Sequence, residues 1–277
     1  MGLGPGGQVS TAAYSMIRGH KKSRLALASL AVVIAARLNA QEASDPHAVQ
    51  PERPTVATHA GTVAPGWLEI ETGVERDRFN PGLSSAFTPT VFKLGLASHV
   101  QLGVFGSVVH YPGATGLGDV GAGVKWRVVD DAPFFGDFAV LPSLKLPTGN
   151  ASKGTGTGTT DAAILLISSH SFGPVSMDIN AGYTRRSGDG SNAPENATLW
   201  TVSFGGPATG GVGWTAECYG YPGTSGPAGQ SPIVALLAGP TFLFRKWLAV
   251  DAGVIVPLTG PQPHALYAGG VYNVGRM

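Results

Sequence analysis

Gly61–Gly73 reads GTVAPGWLEIETG, and the way its carboxylates alternate with aliphatics decides the fold. A Pro-Gly turn precedes Trp67, after which Leu68 and Ile70 interleave with Glu69 and Glu71. Successive side chains of a strand point to opposite faces, so this spacing separates an apolar face from a charged one. The same phase recurs downstream. Val120, Ala122, Val124, Trp126 and Val128 oppose Asp119, Lys125 and Arg127, and Met177, Ile179 and Ala181 oppose Asp178. Trp214 and Ala216 oppose Glu217, Val250 and Ala252 oppose Asp251, and Lys93 and Lys145 lie opposite flanking aliphatics.

Period-two patterning from Trp67 onward predicts twelve strands. They run approximately over 67–75, 86–97, 99–110, 118–129, 135–146, 160–170, 175–184, 198–205, 212–220, 233–244, 247–257 and 265–275. The strands at 160–170 and 233–244 are apolar on both faces. Alternation alone fits either a soluble sandwich, apolar inside, or a membrane barrel, apolar outside.

The connections separate these two. Arg76–Ser85, Tyr111–Leu117, Pro147–Thr159, Arg185–Ala197, Tyr221–Pro232 and Leu258–His264 are long; those between them are short. Strict alternation of long and short describes an up-and-down meander with one elaborated end, as in outer-membrane barrels. The predicted fold is therefore all-β, a twelve-stranded antiparallel up-and-down transmembrane β-barrel. Segments of this length match the ~9–11 tilted residues that span the hydrocarbon core. Trp67, Tyr111, Phe135, Tyr183, Trp247 and Tyr267 fall near strand ends, where interfacial aromatics belong. Trp126, Trp200 and Trp214 fall inside strands and are expected to face lipid.

Composition agrees. Charged residues are only 13% of 277 while hydrophobic ones are 43%, about half the usual charge for a soluble domain. With a net charge of +1, nothing calls for nucleic acid as a partner. Cys218 is the single cysteine, which excludes an intramolecular disulfide and a Cys-rich metal site. A basic cluster (Arg18–Arg24), the apolar run Leu25–Ala36 and RLNAQEAS follow the pattern of a secretory signal. Residues 1–40 are accordingly expected to be leader and signal peptide, with Met16 a candidate start and cleavage after Ala40. Residues 41–66 are Pro-rich and aperiodic, a periplasmic leader ordered only if docked, and 67–277 are the barrel.

Several stretches resemble a family of proteobacterial outer-membrane proteins named for the meta-cleavage pathway of phenol degradation. The residues that carry the likeness are Arg53-Pro54, Pro65-Gly66 and Glu71-Thr72-Gly73, GLGDVGAGVKWRV (Gly116–Val128), LPSLKLPTG (Leu141–Gly149) and WLAVDAGV (Trp247–Val254). The resemblance implies a transporter for small, aromatic or hydrophobic molecules. One departure is the end, VYNVGRM, which lacks the terminal aromatic that the barrel assembly machinery is thought to read.

Other motifs carry less. KGTGTGTT (Lys153–Thr160) lacks the P-loop order and reads as a loop. No pair of histidines shares a strand face at metal spacing, no G-x-S-x-G elbow occurs, and no cofactor is called for. Ser168, Ser169 and His170 fall at a strand end on the short-turn side. The functional candidates are the charges on the inward face: Glu69, Glu71, Lys93, Asp119, Lys125, Arg127, Lys145, Asp178, Glu217 and Asp251. Either they pair and plug the lumen or they line a path. The reading is thus a passive channel of the outer membrane, embedded in its lipid bilayer. The alternative is a structural or adhesive barrel acting through its long loops, with a rim-located lipid hydrolase as a third option.

Overall fold

The computed structural model describes residues 45–79 and 83–277. The expected signal peptide and the first residues of the leader lie outside them. Among the described residues thirteen strands form one closed antiparallel sheet. These are β1 (Trp67–Arg78), β2 (Ser84–Ala97), β3 (Val100–Tyr111), β4 (Ala114–Leu117), β5 (Val120–Ala132), β6 (Gly136–Leu146), β7 (Asp161–Phe172), β8 (Val175–Arg186), β9 (Asn196–Thr209), β10 (Val212–Tyr221), β11 (Ile233–Arg245), β12 (Leu248–Thr259) and β13 (His264–Arg276). Neighbours in sequence pair in turn except that β3 pairs with both β4 and β5, and β1 pairs with β13 to close the wall. Closure leaves only the short β4 paired on one side alone and removes every other sheet edge, the condition for a sheet to stand in lipid. Among the described residues no helix is long and apolar enough to cross a membrane; the crossing is made by strands.

The wall is twelve strands around, as predicted, because β4 and β5 share one place. β4 pairs with the outer end of β3 (Val108↔Leu117), and β5 takes over lower down (Phe105↔Gly121 to Val100↔Trp126). This corrects two boundaries. Tyr111–Leu117 is not a long loop but a tight turn followed by β4, and the next strand starts at Val120, not Gly118. Asp119 therefore lies in a break between strands. The cause is Gly118: a Cβ there would meet the Ser107 hydroxyl at 2.6 Å, so the chain passes where a side chain could not.

The two faces separate as the phase requires. In β5, Ala122, Val124 and Trp126 are exposed while Gly121, Gly123 and Lys125 are buried. Trp200, Trp214, Phe204, Leu166 and Ile179 are likewise exposed on the outside, forming the apolar belt of a membrane barrel. The strands that were apolar on both faces resolve the same way. Ile167 of β7 and Ala235 and Leu237 of β11 point inward and are buried, whereas Leu166 and Leu236 face out. Tyr219, Leu237, Ile255 and Tyr267 form an apolar cluster inside the wall.

Candidate functional site

The lumen is occupied by the chain's own leader. His47 enters at the short-turn rim, its ring 4.9 Å from that of Trp67 and 6.3 Å from that of Trp247, and Val49 N–H donates to the Lys246 carbonyl. From there the leader runs round the inside of the wall. Gln50 N–H donates to Glu69 and Glu52 N–H to Glu71, both at 2.8 Å. Val56 and Ala57 N–H both donate to the Glu217 carboxylate, at 2.8 and 2.7 Å. The Asn180 amide pairs with the Thr58 backbone, accepting its N–H at 2.7 Å and donating to its carbonyl at 2.9 Å. Ala60 N–H donates to Ser169 Oγ, Val63 N–H to Gln101 Oε1 and Gly66 N–H to the Gly95 carbonyl. An aperiodic segment cannot form a ladder, so wall side chains satisfy its buried backbone groups one by one.

Side chains complete the docking. Arg53 pairs with Asp251 at 3.2 Å. Its guanidinium lies over a glycine pair, Gly73↔Gly269, facing each other across β1 and β13. A Cβ on either would meet Arg53 Nη2, at 2.6 Å for Gly73 and 2.5 Å for Gly269. The Arg-Pro and Thr-Gly motifs of the sequence thus meet in space. Lys93 is fully buried among Glu69 (2.6 Å), Glu71 and the Gln50 carbonyl. Lys125 bonds Glu52 of the leader and the His59 carbonyl. Burial opposes ionisation of Glu52, but Lys125 and Lys93 outweigh it and hold the carboxyl well below the usual carboxylate range. Burial, reinforced by Lys125, pushes the His59 imidazole down to about 3. It is a neutral ring, and its Nδ1 accepts the Gly61 N–H.

The ten charged candidates are brought into three groups. Glu69, Glu71, Lys93, Lys125, Glu217 and Asp251 hold the leader. Arg127 and Asp178 lie near the short-turn rim, Arg127 pairing with Asp130 at 2.8 Å and Asp178 accepting from Ser169 Oγ at 2.5 Å. Asp119 and Lys145 lie at the opposite end, 2.6 Å apart. Asp119 thus pairs with the neighbouring strand β6 and not with Lys125 of β5. It also accepts the backbone N–H groups of Gly149 and Thr157, which ties the loop between β6 and β7 down over the wall. Thr148 Oγ1 accepts from Val120 N–H and donates to the Gly118 carbonyl, so the Gly-Leu-Gly-Asp and Leu-Pro-Thr-Gly motifs interlock. Burial raises the Asp119 pKa, but the Lys145 bond and the backbone donors outweigh it, and the carboxyl is lowered.

Searching for inward charges overlooks Gln101, Ser169, Asn180 and Asn273, the uncharged partners of the leader. Their inward phase was readable, yet only a leader inside the barrel gives them a role. Ser168 Oγ and His170 Nε2 lie 3.0 Å apart, but the hydroxyl also donates to the Phe135 carbonyl. Below the leader, on the short-turn side, two adjoining cavities of about 420 and 410 Å³ share Pro51, Arg53, Ser176, Gly205 and Thr215.

No protein-family model matches the chain, and no curated protein does. Among solved structures it is similar to an outer-membrane channel from Pseudomonas putida F1, with a TM-score of 0.60 at 10% identity over 79% of this chain and 100% of that one. The transport unit of the autotransporter AIDA-I from Escherichia coli superposes with a TM-score of 0.40 at 11% identity, covering 89% of this chain and 97% of that one. That agreement is too loose to argue from. The likeness to the first is one of fold, that of an outer-membrane β-barrel, and the apolar belt agrees with that location.

Proposed function

We propose that this protein is a passive channel of the outer membrane whose lumen is closed by its own leader, and that its solutes are small and aromatic or hydrophobic. The observation that carries the reading is the course of Gln50–Val63, which circles the lumen on hydrogen bonds with β1, β12, β10, β8, β7 and β3 in turn. Such a segment blocks passage while docked and opens it when withdrawn. The substrate class is supported by the inward cluster of Tyr219, Leu237, Ile255 and Tyr267, packed against Val56 of the leader. A lumen wall of this kind suits solutes that shed water readily. The motif resemblance to the phenol meta-cleavage family points the same way.

Planar-bilayer conductance tests the reading. The full chain is expected to conduct little, and a chain lacking residues 46–63 to conduct steadily. Equal conductance of both, with the leader protected from protease, would reject a leader gate. A second reading, a structural barrel acting through its loops, is favoured by the closed pairing of Lys93 with Glu69 and Glu71 and of Lys145 with Asp119. It predicts that the shortened chain stays silent.

A further inference from the structure

The outside of the wall carries a basic site that neither the lumen nor the leader uses. Arg76 and Arg78 of β1 belong to the lipid-facing set with Val74, because Glu75 and Asp77 take the inward positions between them. Opposite them on β13 are Leu266 and His264, in register with Arg76 and Arg78 respectively, and Val254 of β12 is in register with Leu266. On the other side β2 presents Ala86 and Ser84, and among the described residues both arginines are exposed. A cavity of about 260 Å³ opens here, lined by Arg76, Arg78, His264, Val254, Val256 and Leu266. It is built as an aliphatic shelf beside a basic end, at the end of the wall that carries the long loops.

Residues two apart on one strand face are spaced roughly 7 Å along the backbone, and two guanidiniums at such a spacing repel unless an anion lies between them. Among the described residues neither has an ion-pair partner. Two other exposed cations do, Arg185 with Glu195 at 2.6 Å and Lys246 with Asp45 at 2.7 Å, while Lys153, Arg245 and Arg276 also stand without one but are not two to a strand face. Asp77, the nearest carboxylate on the same strand, faces the lumen and accepts from Ser85. The ligand that fits has a phosphate for the two arginines, which bind it in a forked geometry, and acyl chains for Val254, Val256 and Leu266. We propose that this is a binding site for a phosphorylated acyl lipid of the outer leaflet. The assignment rests on the orientation that puts the long loops outside. The assay below does not depend on conductance, so it can fail while the channel reading stands.

The full chain in detergent micelles is doped with a bisphosphorylated acyl-glucosamine lipid, with the same lipid dephosphorylated, or with inorganic phosphate, and bound lipid is read by native mass spectrometry. The phosphorylated lipid is expected to be retained, the other two not. The Arg76→Gln/Arg78→Gln variant is expected to lose about tenfold in affinity, and Arg185→Gln to bind normally. Should the double variant fail to assemble, Arg78→Gln and Leu266→Ser are measured singly. Unchanged binding in the arginine variants, or equal retention of the dephosphorylated lipid, overturns the site. Retention of inorganic phosphate as tightly as the phosphorylated lipid overturns the lipid assignment.

Discussion

The leader inside the barrel and the loop over its outer end are held by the same device, a wall carboxylate that accepts backbone N–H groups. Glu217 takes two from the leader, and Asp119 takes two from the loop between β6 and β7. The surroundings differ. Lys93, at the centre of the leader's docking, is fully buried with Glu69 and Glu71, whereas the side chain of Lys145 beside Asp119 keeps 17% of its surface in solvent. A charge network out of water is held by its own completeness, since removing one member strands the others. A partly wetted one can exchange a lost partner for water. The leader should therefore release cooperatively, and the loop latch should loosen in steps.

The largest effect is expected from Lys93→Met, which leaves Glu69 and Glu71 buried without a cation. A loss of about 3–5 kcal/mol should appear as a lower temperature of heat-modified gel migration and a protease-sensitive leader. If Lys93→Met left both unchanged, the leader would not depend on a closed charge network. Acid comes next. The His59 pKa is depressed to about 3 from an ordinary 6.5, so the unfolded or undocked leader binds the proton first. The stability that neutral His59 contributes is complete above 6.5 and is lost as pH falls from 6.5 toward 3. Glu52, depressed from 4.5, adds a loss in the same direction below 4.5. Conductance should thus rise on acidification, and His59→Gln should remove the part of the rise that begins near pH 6.5.

Asp119→Asn separates the two regions. It removes the charge that faces Lys145 and leaves one acceptor oxygen, at a cost of about 1–2 kcal/mol. Cleavage in residues 149–160 should rise while the leader stays protected. Cleavage of both would mean that the two regions are coupled. The smallest effect is expected for Arg185→Ala, whose side chain is 51% exposed. Breaking its pair with Glu195 should cost under about 0.5 kcal/mol and shift neither protease pattern.

Much of the wall was legible because its determinants are local. GTVAPGWLEIETG shows Glu69 and Glu71 on one face and Leu68 and Ile70 on the other, and the structure keeps that division, with both glutamates buried. The break at Gly118-Asp119 was not legible, for a physical reason. The period-two pattern continues through it, while the break comes from Ser107 and Thr155 crowding Gly118 from other parts of the chain. The leader was harder still. Its order depends on partners such as Glu217 and Asn180, 161 and 122 residues away, and a segment without periodicity carries no mark of what will satisfy its backbone.

By itself the sequence determined how many strands go round the wall, the face of most wall residues and which end carries the long loops, because side-chain alternation and turn chemistry act over a few residues. Only the tertiary structure decided what the inward charges meet. Arg53 reaches Asp251 across 198 positions, over glycines brought together by the closure of β1 on β13. Such contacts exist only once the sheet has curved round and enclosed the leader, and no local pattern encodes that closure.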